Sequence, residues 1–368
     1  MNGAAVPGRD GGKRDSMPGG KPGSMTGKRL VNTMKLHGSV ITGLGSYVPE
    51  RILTNADLEK IVDTSDEWIV THTGMRERRV IADDQNTSDL AVEASKVALR
   101  DAGLEARDVE LIIVGTVTSD TVFPATSAIL EDKLGANRAA SFDLVTGCTG
   151  FVDAMITGSQ YVMTGGYENV LVVAAEALTR ITNWTDRSTC VLFGDGAGAV
   201  VLQPDEPGKG LLGYAMDTQG FAGEALSLPS SGSAWPPDEK ALAEHATKIF
   251  MNGHEIFRMA VRGIPHIAGL AMKKAGVTNK DIDWVVMHQA NQRILDAAAQ
   301  RLGIDRAKVV SNLHKYGNTS AASMGLAFDE IYRDGSLQTG DLVLLVGFGA
   351  GFSLSGAVVR WEKKTPPR

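Results

Sequence analysis

The sequence is short of cysteine, of long apolar runs and of positive charge. Two cysteines in 368 residues cannot build a disulfide framework, and no C-x-x-C pair offers a zinc site. No apolar run approaches the ~18 residues that span a bilayer. Lys and Arg number 37 against 43 Asp and Glu, a net charge of −6, which argues against a general nucleic-acid binder. What is present is an ordinary 43% of hydrophobic and 22% of charged residues, which excludes wholesale disorder. At this length one simple core stops growing, so two subdomains or one large duplicated fold are expected. A cytosolic enzyme is the default reading.

Residues 1–35 differ from the rest. They are rich in Gly, Pro, Lys and Arg, carry seven basic residues against Asp10 and Asp15, and so leave the remainder of the chain at −11. With almost no apolar periodicity this segment reads as a disordered basic tail, with a lipid- or nucleic-acid-binding arm as the weaker alternative. It lacks the apolar core of a secretory signal, and its glycines and prolines oppose an amphipathic transit helix.

From Leu36 onward, short apolar strands alternate with helical patterns, the mark of a layered α/β fold. Strands are expected at Ser39–Gly43, Leu111–Val114, Ala140–Val145, Val170–Ala174, Ala197–Gln203, Asp283–Met287, Leu342–Gly347 and Leu354–Trp361. Helices are expected at Asp89–Ala102, Phe151–Thr164, Lys248–Ala275 and Ile294–Leu302. The Pro-, Gly- and Ser-rich stretch Asp205–Ser233 reads as linker with at most a short strand. One repeat is visible: VALRDAGLEARDVELIIV (97–114) aligns without a gap on LAMKKAGVTNKDIDWVVM (270–287), with Asp108 falling on Asp281. The offset is about half the folded length, which points to two similar halves, 36–206 and 207–368.

Cys148 in DLVTGCTGF lies between an expected strand and an expected helix, and Gly147 and Gly150 permit a tight elbow. A helix N-terminus favours the thiolate, the nucleophilic form; the bland alternative is a small buried cysteine. Cys190 opens the apolar run Cys190–Phe193 and reads as core. His288 follows an apolar strand, where α/β sheets place ligand-facing groups, although a satisfied loop histidine is as good a reading of one residue. Asn318 in YGNTSAAS is either a turn cap or an amide donor aimed at a developing oxyanion, with Thr319 or Ser320 able to cap the next helix. The GxGxG runs 194–198 and 347–351 lead into extended segments rather than helices, so no dinucleotide site is expected. Their use would be close backbone approach or an oxyanion N–H. No metal-ligand constellation stands out.

In this order and context, Cys148, His288 and Asn318 resemble the β-ketoacyl-acyl-carrier-protein synthase III family, the initiating condensing enzymes of fatty-acid synthesis. The resemblance runs through GLGSYVPE (43–50), NADLEKIVDTSDEWIVTHTGMRER (55–78), CTGF (148–151), TDRSTCVLFGDGAGA (185–199), HQANQRI (288–294), GNTSAAS (317–323) and GFGAGF (347–352). It implies a thiolase-like duplicated αβαβα fold with two pseudo-symmetric halves. It further implies that Cys148 takes an acyl group from acyl-CoA, a substrate rather than a cofactor, and that His288 and Asn318 bind the thioester carbonyl of malonyl-acyl carrier protein. The resemblance assigns the backbone N–H groups of Cys148 and Ala350 to an oxyanion hole and Phe348 to excluding water. Trp68, Arg187, Thr64 and Gly253 then contact coenzyme A, Phe123 closes the partner's acyl pocket in a homodimer, and Arg258, Arg293 and Arg301 dock the acidic carrier protein. The chain departs from the family pattern at His72, where arginine is usual, at His254, where asparagine is usual, and at Thr146-Gly147, where two alanines are common. These departures bear on which acyl donor is used. The alternatives are a synthase-III-like enzyme of secondary metabolism, a chalcone-synthase-type polyketide synthase, a non-catalytic carrier-protein-binding paralogue and a Cys-His hydrolase.

Overall fold

The two copies of the repeat fold alike. A helix ends at Ala102 and another at Ala275, each stopped by a left-handed glycine, Gly103 (φ 71°) and Gly276 (φ 72°). The carboxylate of Asp108 then accepts the Glu105 N–H at 2.9 Å, and that of Asp281 accepts the Thr278 N–H at 2.8 Å. Each acidic turn delivers the chain into a buried strand, at Leu111 and at Trp284. Identical turn chemistry at equivalent positions is why the repeat is legible.

The computed structural model describes residues 36–363, so the basic segment 1–35 lies outside the described residues. One sheet holds β1 (Gly38–Tyr47), β2 (Leu111–Gly115), β3 (Ala140–Leu144), β4 (Val170–Ala177) and β5 (Asp195–Asp205), in the spatial order β1-β5-β4-β2-β3. The second holds β6 (Leu211–Thr218), β7 (Trp284–Met287), β8 (Leu342–Gly349) and β9 (Ser353–Arg360), in the order β6-β9-β8-β7. Directions match strand for strand: β1/β5 and β5/β4 are antiparallel and β4/β2 parallel, as are β6/β9, β9/β8 and β8/β7 respectively. Where β3 pairs with β2, the second sheet has a single parallel bridge, Val285 to Val309.

The helices sort into layers. α1 (Asp66–Thr73) lies near the site, whereas α2 (Thr87–Ala102) and α3 (Thr126–Leu134) cover the outer face of the first sheet. α4 (Gly150–Met163) and α7 (Ala322–Arg333) pack between the sheets; α5 (Gly253–Ala275) and α6 (Gln292–Leu302) cover the second sheet. Strand β4 shows the logic, since Val170, Val172 and Ala174 face the inner helices and Leu171, Val173 and Ala175 face α2 and α3. A strand buried on both faces is apolar at every position, which explains the continuous runs in the sequence. Phe151 of α4 and Phe328 of α7 are wholly buried, each stabilising the middle layer by about 1.5–3 kcal/mol. This is the duplicated αβαβα arrangement.

Two expectations need correction. The stretch Asp205–Ser233 contains an eight-residue strand, β6, hydrogen-bonded along β9. Its inward positions Leu211, Gly213 and Ala215 include small residues against α5, so the apolar alternation is faint. The helix expected over Lys248–Ala275 begins only at Gly253. Asn252 caps it by accepting the Glu255 N–H at 3.2 Å, and Phe250–Met251 pair instead with Leu226–Ser227.

Candidate active site

Strand β3 ends at Leu144, and Gly147 (φ 64°) starts a single 3-10 turn, Gly147–Thr149, that feeds α4. The turn holds Cys148 at the helix N-terminus, 7% exposed. A Cβ at Gly349 would lie 2.8–2.9 Å from Cys148 Cβ, N and Sγ, so only glycine lets the end of β8 approach the thiol. This is the use of the second GxGxG run. The Ser320 hydroxyl donates to the sulfur at 3.4 Å, and the backbone N–H groups of Ala350 and Cys148 favour its charged form. Burial nonetheless pushes the Cys148 thiol up to about 12, outweighing those bonds. The resting sulfur is therefore a neutral thiol, and the helix terminus alone does not ionise it.

His288 stands one residue past β7, its N–H donating to Val346 O at 3.0 Å. The ring Nδ1 is 2.8 Å from Ser323 Oγ, and Phe348 packs edge-on at 5.1 Å between ring centroids. Burial pushes the imidazole down to about 3, so at neutral pH it is uncharged.

Asn318 is tied to the other half through its backbone, its N–H donating to Leu192 O at 2.8 Å and its carbonyl accepting Gly194 N–H at 3.0 Å. Its side-chain Oδ1 accepts the Ser320 N–H at 2.8 Å, which turns the Nδ2 donors toward the cavity. Beneath this loop the wholly buried Arg78 donates to Leu53 O, Asn55 Oδ1 and Val191 O, with its Cβ against Gly317 and Gly194.

These side chains converge. One cavity of about 120 Å³ is lined by Cys148, His288, Asn318 and Phe348, with Gly253 and Phe257 at the first turn of α5. A second, apolar cavity of about 300 Å³ is lined by Val117, Val145, Leu178, Ile181 and Ala350, among others, and shares Cys148, Phe193 and Leu226 with the first. The sulfur thus sits in the wall between the cavity that carries the His288 and Asn318 donors and a second cavity that lacks them. Such an arrangement can bind an acyl chain on one side while donors on the other hold an oxygen that gains charge.

The remaining residues singled out in the sequence lie around this centre. Arg187 stacks its guanidinium 4.7 Å over the Trp68 ring and donates to Asp63 O at 2.9 Å. His72 stacks on Trp68 at 4.4 Å. Thr64 Oγ1 is buried without a partner. Arg258, Arg293, Arg301 and His254 are exposed, on α5 and α6 whose first turns frame the cavity. Phe123 is 85% exposed and lines neither cavity. Cys190 is wholly buried in a core cluster that joins residues of both halves. Sequence reasoning attached no chemistry to Ser320, Ser323 or Glu176; the first two stood in GNTSAAS only as cap or motif letters. Among the described residues, no group of three or more His, Cys, Asp or Glu is placed to hold a metal ion.

Comparison with known proteins agrees with this architecture. The model of the family described as 3-oxoacyl-(acyl-carrier-protein) synthase III matches residues 142–220, and the corresponding C-terminal model matches residues 272–361. The β-ketoacyl-(acyl-carrier-protein) synthase III of Caldanaerobacter subterraneus subsp. tengcongensis is 50% identical over 323 residues, 88% of this chain and 98% of the relative. The crystal structure of 3-oxoacyl-(acyl-carrier-protein) synthase III from Aquifex aeolicus superposes with a TM-score of 0.82 at 40% identity, covering 88% of this chain and 100% of that one. The priming β-ketosynthase of the R1128 polyketide pathway superposes with a TM-score of 0.85 at 35% identity, covering 90% and 98%. This chain belongs to the β-ketoacyl-(acyl-carrier-protein) synthase III family.

Proposed function

We propose that the enzyme primes fatty-acid synthesis by a decarboxylating Claisen condensation of a short acyl-CoA with malonyl-acyl carrier protein. The observation that carries this is the meeting of Cys148, His288, Asn318 and Phe348 on one cavity while Cys148 also faces an apolar pocket. Cys148 attacks the acyl-CoA thioester and expels coenzyme A, with its own N–H and that of Ala350 receiving the oxyanion. The acyl chain then lies in the apolar pocket. Malonyl-acyl carrier protein enters the other cavity with its thioester carbonyl against the Asn318 amide and the His288 ring. As carbon dioxide leaves, these two neutral donors stabilise the enolate, and Phe348 keeps water from the departing carboxylate. The enolate carbon attacks the acyl-Cys148 thioester, which releases the β-ketoacyl product and the thiol.

Trp68, Arg187, Thr64 and Gly253 hold coenzyme A in this reading, and Arg258, Arg293 and Arg301 give an acidic enzyme a basic face for an acidic carrier protein. No further cofactor takes part. A homodimer is supported by β3, an unpaired sheet edge, beside exposed Val122, Phe123 and Val145 at 87%, 85% and 75%. Edge-to-edge pairing there brings Phe123 to the partner's acyl pocket. No helix among the described residues is long and apolar enough to cross a membrane, and a cytoplasmic setting supplies both substrates. The second reading, a starter-loading synthase of secondary metabolism, is favoured by the likeness to the R1128 priming ketosynthase.

Incubation with a panel of acyl-CoAs and malonyl-acyl carrier protein tests both. A short-chain acyl-Cys148 mass and a β-ketoacyl product are expected. An unusual acyl group taken in preference favours the second reading, and absence of any acylation sinks the first.

A further inference from the structure

The turn that carries Cys148 rests on the end of β8 through glycine. A Cβ at Gly347 would lie 2.9 Å from Thr149 Cα, one at Gly349 2.8 Å from Cys148 Cβ, and one at Gly147 3.2 Å from Ala350 N. Such contacts are close but carry no direction, and among the described residues no backbone hydrogen bond joins Gly147–Thr149 to β8 or β9. A side-chain bridge spans the seam instead. Asp153, in the first turn of α4 and 2% exposed, accepts the Thr149 hydroxyl on Oδ2 at 2.6 Å and the Ser355 hydroxyl on Oδ1. Ser355 is the residue of β9 that pairs with Gly347, and Ala350 directly follows β8. The bridge thus straps the nucleophile's turn, in the first half of the chain, to the strand pair of the second half that leads into Ala350.

We propose that Asp153 is a positioning residue for acyl transfer: by holding Thr149 to Ser355 it sets the spacing of the Cys148 and Ala350 N–H groups across the boundary between the halves. The proposal rests on those two groups receiving the oxyanion. Both tetrahedral intermediates form on the carbon bonded to Cys148 Sγ, so acylation and condensation each need the two donors at once. Each donor serves only at about 2.7–3.1 Å from the oxyanion, and a misplacement of about 1 Å can cost about a hundredfold in rate. Two donors supplied by different halves keep that spacing only if the halves cannot slide at the seam.

The surroundings suit a clamp rather than a charge. No ion pair among the described residues involves Asp153, and burial pushes its carboxyl above the usual carboxylate range. Its partners are themselves sealed, Thr149 wholly buried and Ser355 1% exposed, so water does not compete for the two bonds. The other buried carboxyls near the site make bonds that stay within the first half. Glu176, behind the wall of the apolar pocket, accepts Thr118 Oγ1 at 2.6 Å and the Val117 N–H at 3.2 Å; Asp195 accepts the Thr179 hydroxyl and the Ile81 N–H. Asp153 lines neither cavity, which leaves it acting through the turn and not on the substrate.

The test compares acyl transfer with simple alkylation of the thiol. Asp153→Ala is expected to lower kcat for Cys148 acylation, and for condensation by enzyme already acylated, about ten- to a hundredfold each, with KM for acyl-CoA changed less than about threefold. Iodoacetamide alkylates by displacement and builds no oxyanion. Its rate at Cys148, read by peptide mass apart from Cys190, stays within about threefold of wild type. Ser355→Ala loses as much acyl transfer as Asp153→Ala, and the double variant loses no more than either. Asp153→Asn restores acyl transfer to within about threefold of wild type. Its Oδ1 accepts from Ser355 and its Nδ2 donates to Thr149, whose own proton keeps Thr146 O at 2.7 Å. Alkylation slowed in step with acyl transfer shows a merely displaced thiol and overturns the proposal, as do additive losses in the double variant. Should Asp153→Ala fold poorly, Ser355→Ala, which trims a single hydroxyl, decides alone. A wild-type enzyme that no acyl-CoA acylates defeats the functional reading and this proposal with it; an active wild type matched by its variants defeats this proposal alone.

Discussion

Ser323 Oγ lies 2.8 Å from Nδ1 of His288, and that hydroxyl has one proton to give. It can donate to Ser320 O, also at 2.8 Å, or to the imidazole. Only the second choice makes Nδ1 an acceptor and leaves the proton on Nε2, as donation to a thioester oxygen requires. The Gln289 N–H, donating to the same Oγ at 3.2 Å, helps orient it. Ser323→Ala is therefore expected to lower the condensation kcat about ten- to a hundredfold while leaving Cys148 acylation nearly intact. Separate measurement of the acyl-enzyme mass and of product formation checks this, and equal loss in both steps would contradict the tautomer argument.

Cys148→Ala is expected to abolish the acyl-enzyme and the condensation together. Asn318→Ala divides them, since its amide faces only the second substrate: acylation persists and condensation falls about 100- to 1000-fold. Condensation fully retained in Cys148→Ala would remove that residue from the mechanism.

Buried ionisable groups set the response of stability to pH. The folded His288 titrates at about 3 and the unfolded one at the ordinary 6.5. Between those values the unfolded chain binds the extra proton, so stability falls as pH falls through that window, by about 1.4 kcal/mol per unit at most. Glu176 works the other way: its folded carboxyl titrates at about 7 against 4.5, so its contribution is complete below 4.5 and lost as pH rises through 7. His288→Gln is expected to show a smaller fall in Tm than wild type on acidification from neutral to about pH 5. An identical fall in calorimetry would refute the assignment.

Arg187 rests 4.7 Å from the centre of the Trp68 ring. On the proposed reading, in which these two residues hold the nucleotide end of coenzyme A, a flat base between them needs about 3.5 Å of contact on each face, about 7 Å in all, and the guanidinium is expected to swing outward. Arg187→Ala is expected to raise KM for acyl-CoA about tenfold with a smaller change in kcat. A change confined to kcat would place this arginine elsewhere in the reaction.

The exposed edge of β3 gives a prediction about assembly. Val145→Asp puts a charge beside that edge, at a position 75% exposed in the single chain. Light scattering should then report monomers. A dimer of unchanged stability would move the interface to another face.

Much of the site was legible because it is built from local devices. Gly147 before Cys148, and a histidine just beyond an apolar strand, mark sheet ends in the sequence as they do in space. The repeat was visible because Asp108 and Asp281 cap the same turn. Strand β6 was hidden, since its inward Gly213 and Ala215 make room for α5 rather than signal a strand. Glu176 was hidden for a different reason: nothing in LVVAAEAL distinguishes a solvated glutamate from one sealed behind the nucleophile.

Read from the sequence, then, are the turn chemistry, the alternation of elements and the duplication, with Cys148, His288 and Asn318 picked out as a candidate trio through the family resemblance. Two cysteines too few for a disulfide framework were enough to offer one candidate nucleophile. The protonation states belong to the tertiary structure. A helix N-terminus favours a thiolate and an exposed histidine titrates near neutrality, yet burial holds Cys148 as a thiol and His288 as a neutral ring. Desolvation depends on every layer packed around a group, and no stretch of residues carries it by itself.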